Sequence, residues 1–310
     1  MNENIDFNID NLNFGTEFNE IVIEFYKKIS LIPNINLDNF KKNMENLKIR
    51  YIDDYNETNL GAYYLPFSNI ITVFSSEKIE KMYLFHELMH LASYNKDMAN
   101  CHVGLSIYID SINNIGKGLN EGYTEYLTEK YFGCMDNAYA YKFEKIIANG
   151  IEMIIGEDKM QKLFFEADIC NFINILTLYS SREEVILFLK NVDELNKINV
   201  FDASLLDIYK LNILVKRINK FLIKLFFNKQ NLDLINDKID ENEFEENFIT
   251  FISMLIRKIK YGNANKDFYY DTLIRKNLIK EVCNLDNYNK KENIIEVINI
   301  LYKKKKLLFK

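Results

Sequence analysis

The chain reads as an α+β protein, with a small sheet and two helices within residues 1–135 and an all-helical domain over 136–310. Three observations predict this. Residues 47–53, 61–65 and 69–74 are rich in β-branched and aromatic side chains. Residues 77–94 are apolar at helical spacing, with no proline or glycine to break them. Both prolines, Pro33 and Pro66, precede residue 67, and no glycine occurs between Gly156 and Gly262, so strong breakers almost vanish from the second half.

The elements follow in order. Phe18, Ile21, Val22, Phe25 and Ile29 form one stripe, which predicts a helix over 15–30. Residues 47–53 alternate and predict a strand. Residues 61–65 and 69–74 flank the turn residues Pro66 to Asn69 and predict a hairpin, with Pro66 at a strand end. Met82, Phe85 and Met89, joined by Leu84, Leu88 and Leu91, predict a largely buried helix over 77–94, with Ser75 and Ser76 as N-cap candidates. Val103 to Ile109 predicts a short strand. Asn113 to Gly118 predicts a loop, in which Gly116 and Gly118 give the backbone freedom before a helix over 119–132. Further helices are expected from Tyr141, over Leu205–Phe227, over Phe248–Ile259 and from Lys291.

The chain has three histidines, and two lie four residues apart in His86-Glu87-Leu88-Met89-His90. On a helix, positions four apart share a face, so His86 and His90 can aim imidazole nitrogens at one point. Glu87 projects about 100° away, beside that point rather than onto it. The H-E-x-x-H pattern is that of zinc hydrolases, in which zinc activates a water and the glutamate is the general base. A catalytic zinc takes three protein ligands. His102, twelve residues past His90, is one candidate for the third. The metzincin pattern is disfavoured, because Ser93 stands where it needs glycine and Lys96 where it needs histidine. Glu121 and Glu125 are the other candidates, sharing a helical face in Asn120-Glu121-Gly122-Tyr123-Thr124-Glu125. One carboxylate can bind zinc while the other accepts the spare N–H of a ligating histidine.

His86-Glu87-x-x-His90 followed by Asn120-Glu121-x-x-x-Glu125 resembles the gluzincin metallopeptidases over roughly residues 60–133. The resemblance implies a zincin-like metal domain followed by the helical domain. It implies Zn2+ held by His86, His90 and Glu121, with Glu87 as catalytic base and Glu125 orienting a histidine. It also implies a peptide or protein substrate, paired along an edge strand of the hairpin. This chain departs from the family pattern at Glu125, where the family has aspartate. The alternative is a non-catalytic zinc-binding or interaction protein on the same scaffold.

Composition narrows the field further. A net charge of −6, from 45 acidic and 39 basic residues, argues against a dedicated nucleic-acid binder. No apolar run is long enough to span a membrane, and Met1–Asp10 has no secretory pattern, so a cytoplasmic location is expected. The four cysteines, Cys101, Cys134, Cys170 and Cys283, form no C-x-x-C pair and are expected to be reduced and mostly buried. Cys101, beside His102, is a further but weaker ligand or nucleophile candidate.

Overall fold

The computed structural model describes residues 14–52, 61–74, 81–96, 100–110, 113–133, 141–198, 204–256, 264–286 and 288–307. The fold is α+β and mostly helical. It opens with α1 (Thr16–Ile29), α2 (Leu37–Glu45), β1 (Lys48–Ile52), β2 (Ala62–Leu65), β3 (Ile70–Phe74) and α3 (Lys81–Ala92). Four short strands follow: β4 (Tyr94–Lys96), β5 (Cys101–Val103), β6 (Ser106–Tyr108) and β7 (Asn114–Ile115). The rest is helical: α4 (Lys117–Phe132), α5 (Lys142–Ile155), α6 (Glu157–Phe165), α7 (Ile169–Leu176), α8 (Arg182–Asn196), α9 (Leu205–Ile235), α10 (Glu241–Leu255), α11 (Ala264–Cys283) and α12 (Lys291–Leu307).

Two compact units interleave along the chain. One takes the chain to Asn114, the segment from Thr124 through the end of α4, and Asp158–Ile169. The other takes Ile115–Tyr123, the segment through α5, and everything from Cys170. Helix α4 is continuous through the boundary.

In the first unit, β1, β3 and β2 form a sheet in that order, β1 parallel and β2 antiparallel to β3. The expected hairpin is β2–β3. Its turn closes through Asn69, which has φ 50°, a left-handed conformation that asparagine tolerates. The Asn69 amide donates to the Asn43 carbonyl, and the Tyr64 hydroxyl donates to Asn69 Oδ1. Asn43 in turn donates to the carbonyls of Leu91 and Tyr94, and so satisfies the C-terminal end of α3. Phe25, Phe85 and Phe132 stack together and tie α1, α3 and the end of α4, with the Phe85 and Phe132 centroids 4.4 Å apart.

In the second unit, Ser181, Ser204 and Asp240 cap α8, α9 and α10 with complete capping boxes. Capped by Asp240, α10 starts at Glu241, seven residues before the apolar run beginning at Phe248 that announced it. Stacked rings bind these helices: Phe188 on Phe221 at 4.4 Å and Phe226 on Phe251 at 4.1 Å. Among the described residues no helix is long and apolar enough to cross a membrane.

Several expectations need correction. Val103 to Ile109 is not one strand: Gly104, at φ 50°, turns the chain and makes a β5–β6 hairpin. The segment before α4 is not all loop, since β7 occupies Asn114–Ile115 and α4 starts at Lys117. The helix expected to 94 ends at Ala92, because Tyr94 enters β4 opposite Val103. Its N-cap candidates, Ser75 and Ser76, lie outside the described residues. The cysteines are not mostly buried: Cys101 is, but Cys170 and Cys283 are exposed. Cys170 occupies the outer side of a short amphipathic helix, so its small apolar side chain faces away from the core. Cys134 lies outside the described residues.

Candidate metal centre

His86, Glu87 and His90 lie on α3, and Glu121 and Glu125 on α4. All five are buried, at 5–8 % exposure. One ligand atom from each of His86, His90 and Glu121 lies within 4.8 Å of the others. Two donors about 2.1 Å from one tetrahedral zinc would sit about 3.4 Å apart, so modest side-chain closure brings the three onto one ion. The donor set, two imidazoles and a carboxylate, is one that zinc accepts. Burying Glu87, Glu121 and Glu125 beside two imidazoles concentrates negative charge where a divalent cation would balance it. By these tests the residues fit a metal.

The surrounding contacts orient this set. His86 Nδ1 lies 3.0 Å from Glu125 Oε2. The tautomer that donates this bond places the ligating lone pair on Nε2. Glutamate in place of aspartate therefore still spans the distance. Thr124 Oγ1 lies 3.4 Å from His90 Nδ1, a long contact. Glu87 Oε2 accepts the Tyr64 backbone N–H from β2 at 2.7 Å. Since β2 is an edge strand among the described residues, this bond uses an N–H that no described strand takes. His102 is half-buried on β5, opposite Ile107 and Asn95, and is not part of the three-residue group. Cys101, its neighbour, is buried and likewise outside that group.

Helix α4 is held closely by its partners. Asp193 on α8 accepts the backbone N–H groups of Gly116 and Gly118 at 2.9 and 2.8 Å, satisfying donors that a helix start leaves open. Burial pushes the Asp193 carboxyl above its ordinary range despite these bonds. Gly116 has φ 85°, as its expected freedom requires. Gly118 serves a different purpose. A Cβ there would sit 2.5 Å from the Val192 carbonyl oxygen, so its glycine permits close packing. Gly122 does the same four residues later, where a Cβ would overlap the Glu144 backbone carbonyl. A glycine-to-alanine change inside a helix ordinarily gains about 1 kcal/mol. Gly122→Ala is instead expected to cost about 2 kcal/mol through overpacking and to weaken metal binding by displacing Glu121. Urea denaturation with metal titration checks both.

The residue pattern did not single out Thr124, Glu144, Glu152 or Asp193. Thr124 was within reach, because Glu121, Thr124 and Glu125 share one helical face at i, i+3 and i+4. Glu152, on α5, accepts from the buried Tyr123 hydroxyl at 2.6 Å. Glu144, also on α5, is buried, and this burial, reinforced by the Glu121 charge, pushes its pKa from 4.5 up to about 7. The native state thus retains a proton that the unfolded chain releases. This contribution to stability is complete below pH 4.5 and is lost as pH rises through 7, by roughly 3 kcal/mol in all. In chelator-treated protein, Glu144→Gln is therefore expected to exceed wild type in stability at pH 8 and lose that advantage at pH 5. Urea midpoints at the two pH values measure it.

No protein-family model, curated protein or solved structure matches this chain.

Proposed function

We propose that the protein is a zinc-dependent peptidase of gluzincin type with a zincin-like metal domain. The observation that carries this reading is the convergence of His86, His90 and Glu121 beside Glu87, with Glu125 on the His86 ring. In this reading His86, His90 and Glu121 hold Zn2+. Zinc, when bound, supplies Lewis acidity to the water and to the scissile carbonyl. Glu87 takes the proton of the attacking water and returns it to the leaving amine. Its bond to the Tyr64 N–H holds the carboxylate in place against β2. Glu125 holds the His86 ring in its ligating tautomer. The β2 edge is where an extended peptide would add as a further strand. The Tyr64 hydroxyl donates to Asn69 and the Tyr123 hydroxyl to Glu152.

A second reading is a zinc-binding protein without hydrolytic activity. The Tyr64–Glu87 bond favours it, since it gives Glu87 a structural task that does not involve chemistry. The two readings separate in one experiment. Protein purified without chelator is assayed for zinc by plasma emission and for cleavage of a mixed quenched-peptide library. The peptidase reading expects one zinc per chain and cleavage that a chelator removes and added zinc restores. Zinc without cleavage supports the second reading, and absence of zinc overturns both.

A further inference from the structure

A second site lies well along the chain from the metal centre, on α9 and α11. These two helices border a groove of about 390 Å³. Lys216, Arg217 and Lys220 reach it from α9, and Lys276 and Lys280 from α11. On each helix the lysines stand four residues apart, which places them on one face. None of the five cations has an ion-pair partner among the described residues. Lysines elsewhere in this unit are commonly matched: Lys224 with Glu184, Lys210 with Glu194, Lys290 with Glu245. Five cations gathered in one groove, unmatched among the described residues, repel one another, in a chain whose net charge is −6.

We propose that this groove binds a small soluble anion carrying two or more phosphate groups. The groove volume falls in the range of small-molecule sites. The cations converge on one recess from two helices, whereas a long polyanion needs a stripe that tracks its backbone. Glu281 lines the same groove beside buried Asn277, whose side-chain amide lies 3.5 Å from it. A carboxylate there repels phosphate of any kind, which the five cations must outweigh, and it can accept a hydroxyl that a small ligand carries beside its phosphates.

The test is calorimetric titration of the full chain with sodium tripolyphosphate in 50 mM salt. Inorganic phosphate, a duplex oligonucleotide and phosphatidylserine vesicles serve as parallel titrants. Saturable binding of one tripolyphosphate per chain is expected, at least tenfold tighter than phosphate and weakening as salt rises. Lys216→Glu/Lys276→Glu should weaken it at least tenfold, while Lys190→Glu, an exposed lysine on α8, should not. Circular dichroism of each variant establishes that it is folded. Should the double variant fail to fold, Lys280→Gln replaces it, with at least a threefold weakening expected. The proposal is overturned by the absence of saturable binding or by affinity indifferent to the groove substitutions. Tighter binding to the duplex or the vesicles than to tripolyphosphate also overturns it, assigning the patch to that partner instead.

Discussion

Glu87→Gln is expected to retain zinc and to lower peptide hydrolysis by about 10²–10⁴-fold, the usual contribution of a general base. Glutamine has nearly the shape of glutamate, and its side-chain oxygen can still accept the Tyr64 N–H that Glu87 accepts at 2.7 Å. The α3–β2 contact and the helix that carries both histidines are thus preserved, and only the capacity to take a proton is removed. Zinc content and kcat measured on the same preparation make the result decisive. Cleavage at the wild-type rate would sink the assignment of Glu87 as base. Glu87→Ala should behave differently, since it also leaves the Tyr64 N–H without its acceptor and should lose stability as well as rate.

Glu121→Ala is expected to reduce zinc affinity by more than about 100-fold, a larger loss than the 10–100-fold typical for groups that only orient ligands. His102→Ala should leave affinity within twofold of wild type, because His102 is outside the group formed by His86, His90 and Glu121. Competition with a colorimetric chelator measures both variants. The reverse order of effects would remove Glu121 from the ligand set. Peptide hydrolysis should follow zinc content in the Glu121 variant at limiting metal and recover in part at saturating zinc. A general-base variant cannot show that recovery, so the two predictions fail independently.

Much of the fold was legible in local pattern. The β2–β3 hairpin could be read from β-branched and aromatic residues around Pro66 to Asn69, and α1 and α3 from apolar spacing. The His86 and His90 pair was readable because a helix brings positions four apart onto one face, whatever surrounds it. Patterns weakened where short strands were set by pairing alone. The β5–β6 hairpin turns at Gly104 within a continuous apolar run, so alternation did not mark it.

What the sequence by itself determined, then, is the local part of the site: two imidazoles on one face of α3, a carboxylate beside them, and two more carboxylates a turn apart on α4. It left Glu121 and His102 both open as third ligand, since thirty residues or twelve give no distance in space. The tertiary structure decided which side chains meet: Glu121 gathers with the histidines, Glu125 reaches His86, and His102 stays on its strand. It also decided the purpose of two glycines and of Asp193. Gly118 and Gly122 are small because backbone carbonyls of α8 and α5 lie against them, and Asp193 holds the first turn of α4. The physical reason is that helical periodicity is a property of a few consecutive bonds, whereas packing, burial and the raised Glu144 pKa depend on residues brought together by the folded chain.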